Sequence, residues 1–180
     1  MKSEIITKLD AAQRQLDTSF RLWFLEEDVV SVFTLAASAH QIIHDLNQRL
    51  RGEDLLFDSL IIKEEFRNQY VAHLKRPWNF LKHADNDPDG VLKIDENSVH
   101  DFFLFSAKGL KQLGQNTSGI TLVFLLWFGI HFPKYLRSKE KFLADFGIDE
   151  SMEDSLKGLS KPAFLHYCTS RLSLISPDKQ

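Results

Sequence analysis

Apolar residues return every three or four positions along most of this chain, and that period favours helices. Ile5, Leu9, Ala12, Leu16, Phe20 and Trp23 mark one face of a helix over residues 3–26. Val32, Leu35, Ala36, Ala39, Ile43, Leu46 and Leu50 mark a second over residues 29–50, with Asp28 placed to cap it. The small cluster Ala36-Ala37-Ser38-Ala39 lets a partner helix come close. The two segments therefore predict a long antiparallel N-terminal pair. Only 8 Gly and 5 Pro occur in 180 residues, too little turn chemistry for an all-β chain. The expectation is all-α: a single-domain helical bundle over residues 1–175, with residues 176–180 a frayed tail.

Further helices follow the same pattern. One is expected from Asp58 to Leu74, stopped at Arg76-Pro77, with a separate short helix from Trp78 to Ala84. Asp85 to Gly90 is turn chemistry, and Asp95 opens a helix reaching Leu113. An apolar helix over 120–131 ends at Pro133, and a short one from Lys139 to Phe146 is closed by Gly147. Residues 148–160 resemble a linker, though Ser151 with Asp154 forms a capping box, and Ser160 caps a last helix to Leu172. Gly52 is the expected stop of the second helix. The N-terminal pair is expected to pack on the third helix, the Asp95 helix and the apolar helix.

Composition narrows the function classes. A formal charge of −3 argues against wholesale wrapping of nucleic acid, while leaving room for a local basic patch such as Lys134, Arg137, Lys139 and Lys141. Cys168 is the only cysteine, so no intrachain disulfide forms, which suits a cytoplasmic protein. The longest apolar run, Ile120 to Phe132, falls short of the roughly 20 residues a bilayer needs, so no membrane partner is expected.

The densest chemistry lies between Arg76 and Gly90. Asp85, Asp87 and Asp89 alternate before Gly90, and Glu96 follows six residues later. Carboxylates at alternate positions converge on a hard cation, glycine permits the sharp turn, and a late glutamate closes the shell. Over twelve residues the loop resembles an EF-hand. The resemblance implies calcium as cofactor, with Asp85, Asp87, Asp89, Glu96 and the Val91 carbonyl as ligands. Pro88 stiffens the middle of that loop, and no partner loop occurs elsewhere.

The same region carries two Arg/His spacings, Arg67 to His73 and Arg76 to His83. Both resemble the signature of HEPN domains (higher eukaryotes and prokaryotes nucleotide-binding), and so does the long helix pair. The resemblance implies RNA as partner, a homodimer, and a metal-independent ribonuclease site of Arg76, Asn79, Lys82 and His83. In that site imidazole moves the proton and guanidinium steadies the phosphoryl charge. Pro77 stands where the family has a polar residue. The run Asn79-Phe80-Leu81-Lys82-His83-Ala84-Asp85 also resembles a signature of small uncharacterised bacterial helical proteins, and favours His83 over His73. A further pair, His40 and His44 beside Asp45, has the spacing of a zinc-binding helix, or of polar residues at a helix seam. Three classes stay open: an RNA-acting protein, a cation-binding domain, and a non-enzymatic interaction module.

Overall fold

The computed structural model describes residues 3–52, 55–58, 63–83, 85 and 87–175, and among them every regular element is helical. The helices are α1 (Lys8–Phe24), α2 (Val29–Arg49), α3 (Glu64–Lys82), α4 (Val99–Gln112), α5 (Gly119–His131), α6 (Lys139–Asp145), α7 (Glu150–Lys157) and α8 (Lys161–Ile175). Short 3-10 turns occur at Glu96–Ser98 and Pro133–Tyr135. The all-α expectation, with its packed N-terminal pair, holds. Contacts group the chain into two compact units, residues 1–23 with 27–117, and residues 24–26 with 118–180.

In the first unit, α1 starts at Lys8 rather than residue 3, because Thr7 and Asp10 make a reciprocal cap. The Thr7 N–H donates to the Asp10 carboxylate at 3.2 Å, and the Asp10 N–H donates to the Thr7 hydroxyl at 3.1 Å. Asp28 caps α2 as expected, accepting from the Ser31 N–H at 2.8 Å. The buried Ser19 hydroxyl ties α1 to α2 by donating to the Val32 carbonyl at 2.6 Å. The fully buried Ala36, Ala37 and Ala39 keep α2 slim, and α4 is the element it packs on most extensively. Phe20, Trp23, Phe33, Phe102 and Phe103 fill the same core, with the Phe20 and Phe103 rings 4.3 Å apart.

Three local expectations are corrected. Arg51, at φ 52°, takes the left-handed position after α2, not Gly52. Gly52 serves a different need, since a Cβ there would collide with the Asn47 side chain. Pro77 lies inside one continuous helix, α3, and no separate helix starts at Trp78. A proline removes one amide donor and crowds the carbonyl four residues back, here that of His73. None of the residues of α3 is buried, so water can serve that carbonyl. The expected start of this helix at Asp58 falls partly on residues 59–62, outside the described residues. Finally, α7 is capped by Asp149, which accepts from the Met152 N–H at 2.8 Å, rather than by Ser151.

The second unit is built on α5, which packs on α6, α7 and α8. Phe24 belongs to this unit and stacks on Phe164 with centroids 6.2 Å apart. Gly147, at φ 67°, closes α6 as expected. Ser118 caps α5, its hydroxyl meeting the Thr121 hydroxyl at 2.9 Å and accepting from the Thr121 N–H at 3.3 Å. Replacing it by alanine removes the side-chain acceptor of that part-buried amide. We expect Ser118→Ala to lower stability by about 1 kcal/mol in urea unfolding, with Ser118→Asp retaining most of it.

Candidate functional site

Between α3 and the segment after it lies an open groove of about 840 Å³. Ala72, Arg76, Asn79, Phe80 and His83 line one side. These positions recur at intervals of three and four, so one stripe of α3 faces the groove. Asp87, Gly90, Val91 and Leu92 line the other side. The helix ends at the groove. The His83 N–H donates to the Asn79 carbonyl at 3.0 Å, while the His83 backbone turns extended, at φ −130° and ψ 126°. The facing turn closes through the Gly90 N–H, which donates to the Asp87 carbonyl at 2.9 Å. Glycine suits that position because a Cβ would lie 2.8 Å from the Asp87 carboxylate.

Three of the four expected catalytic residues, Arg76, Asn79 and His83, therefore share this groove, all exposed. Lys82 does not line it; its ammonium sits 3.4 Å from the centre of the Trp78 ring. Asp87, read from the sequence as a cation ligand, lines the groove. The Arg-to-His motif spacing from Arg76 to His83 was the signal for this side, though the expected break at Pro77 hid that these residues share one helix. Val91 and Leu92 carried no periodicity that could have announced the other.

Asp95 caps the 3-10 turn that begins at Glu96, accepting from the Asn97 N–H at 2.8 Å. Asp85, Asp89 and Glu96 do not line the groove. Among the described residues no three His, Cys, Asp or Glu side chains come together as a group able to hold a metal. Ala84 and Asn86 of that loop lie outside the described residues.

His40 and His44 occupy a buried seam. The His40 Nδ1 pairs with the Ser106 hydroxyl of α4 at 3.2 Å, and Phe57 and Phe102 meet its ring edge-on. The His44 Nε2 lies 2.9 Å from the Asp58 carboxylate, which also accepts from Gln48 at 2.9 Å and from the Leu55 N–H at 2.8 Å. Burial pushes the Asp58 carboxyl up, but these hydrogen bonds outweigh it and hold it below its ordinary value. Burial drives His40 down to about 3, so it stays neutral. In the sequence Asp45 is the carboxylate adjacent to His44. Asp45 is 3.5 Å from Nδ1, while the closer partner, Asp58, arrives from the next turn of the chain.

No family model, curated protein or solved structure matches this chain.

Proposed function

We propose that the α3 groove binds single-stranded RNA and cleaves it without a metal, as a HEPN-like protein would. The observation that carries this reading is the convergence of Arg76, Asn79 and His83 on one open groove. Guanidinium and amide groups suit a phosphate oxygen, and the half-buried Phe80 offers a face on which a base can stack. In the chemical step, His83 accepts the proton of the ribose 2′-hydroxyl as that oxygen attacks the adjacent phosphorus. The bond from phosphorus to the 5′ oxygen breaks, and the leaving oxygen takes a proton from water. The products are a 2′,3′-cyclic phosphate and a 5′-hydroxyl end. Arg76 carries the extra charge on the phosphoryl oxygens.

The test uses a fluorescein-labelled single-stranded RNA with EDTA present. We expect Arg76→Ala to weaken binding by about tenfold, the scale of one charge-assisted hydrogen bond. His83→Ala should bind normally and cleave at least about a hundredfold more slowly. An RNA whose ribose at the cut carries a 2′-deoxy substitution should bind and stay intact. Lys82→Ala, outside the groove, should change neither readout. RNA binding left unchanged by Arg76→Ala, or a cleavage rate left unchanged by His83→Ala, would remove this reading. A dependence of cleavage on protein concentration would show that two copies build the site.

A further inference from the structure

A second cavity, of about 110 Å³, lies wholly within the second unit, among α5, α7, α8 and the turn that closes α6. Its walls are almost entirely apolar, formed in large part by Val123, Leu126, Phe146, Ile148, Met152 and Leu156. Only three polar side chains reach it, Tyr167, Cys168 and Arg171, all from α8. Arg171 is exposed and so marks the mouth. Its guanidinium lies 5.0 Å from the Tyr167 ring centre and has no carboxylate partner among the described residues. Cys168 is a wall residue, and burial holds its thiol in the neutral form, up at about 11.

We infer that this cavity binds a short aliphatic or single-ring carboxylate, with the apolar body inside and the acid group on Arg171. An apolar cavity of this scale stays dry and accepts a guest about the size of benzene. That size limits the body to roughly six carbons. A guanidinium left unpaired at the rim recognises a carboxylate through two parallel N–H donors. The aromatic ring of Tyr167 beside it keeps that fork in place.

Hexanoate and its neutral isostere hexanamide are the probes, added to the full chain. Binding is read by calorimetry and by the rate at which methyl methanethiosulfonate, a small uncharged reagent, modifies the single cysteine. Hexanoate at about ten times its Kd should slow modification of Cys168 about tenfold, because only the unoccupied fraction reacts. Hexanoate should bind about tenfold more tightly than hexanamide, and Arg171→Gln should erase that preference without weakening hexanamide. Arg171 is exposed, so this variant tests recognition rather than folding. No protection of Cys168 by hexanoate up to about 10 mM would overturn the inference. So would an Arg171→Gln protein that still prefers the acid.

Discussion

Acidification from pH 7 to pH 4 is expected to cost the folded protein roughly 3 kcal/mol for each of two buried histidines, His40 and His100. Burial lowers His40 to about 3 and His100 to about 4, from an ordinary value of 6.5. Between 6.5 and those lower values the unfolded chain takes up protons that the folded chain refuses, so stability falls as pH falls. The surroundings explain the refusal. His40 is enclosed by Phe57, Phe102 and Ser106, with His44 and Lys75 near enough to oppose a positive charge. The attraction of Asp58 works the other way and is outweighed. His100 sits edge-on to Trp23 at 5.3 Å, and the pull of Asp95 does not offset its burial. A domain of this size is commonly stable by about 5–15 kcal/mol, so acid unfolding should set in near pH 4. Urea midpoints between pH 7 and pH 4 should show a slope approaching two protons. Replacing the buried pair by apolar groups, His40→Leu with Ser106→Ala, should reduce that slope by about one proton. An unchanged slope would place the acid sensitivity elsewhere.

A methyl group added at Gly109 is the second expected large effect. Gly109 is buried on α4, where an added Cβ would collide with the Ile43 Cγ2 methyl and stand 3.0 Å from a Leu55 methyl. Alanine favours a helix over glycine by up to about 1 kcal/mol, so in an exposed helix this change would stabilise. Here the obstacle is a branched methyl of a fully buried isoleucine on α2, which cannot swing away. Overpacking of this kind costs about 1–3 kcal/mol, and Gly109→Ala should fall within that range, with Gly109→Val worse. Pairing Gly109→Ala with Ile43→Ala should cost less than the sum of the two single changes, because the second removes the obstacle to the first. Strict additivity in urea unfolding would show that α2 and α4 do not meet at this point.

How much of this was legible depended on whether the signal was local. Asp28, Asp95, Gly147 and Ser160 sit within one turn of the groups they satisfy, and their roles could be read directly from spacing. Pro77 could not, because its cost depends on whether the helix around it is exposed. Leu55, Leu56 and Phe57, buried in the link after α2, are three residues long and too short to show any period. Asp58 is fourteen positions from His44, and only the path of that link brings them together. At the groove, the Arg-to-His spacing singled out Arg76, Asn79 and His83, but their forming one stripe depended on α3 running on through Pro77. The place of Asp87 on the facing wall was not legible, because sequence shows which carboxylates are neighbours but not the direction in which each points.

The absence of any buried residue along α3 has a consequence for how the groove works. Few apolar contacts hold this helix, and its amide ladder already lacks one bond at Pro77. Its opening free energy therefore lies at the low end for this chain, and its amides should exchange with solvent sooner than those of α2 or α4. A ligand bound in the groove as proposed would touch Ala72, Arg76, Asn79 and Phe80 of that helix and His83 at its end, three turns at once. Such occupancy would select the ordered form of α3, with part of the interaction spent on fixing it. Affinity for the proposed RNA would then depend as much on how often the helix is intact as on the groups it displays.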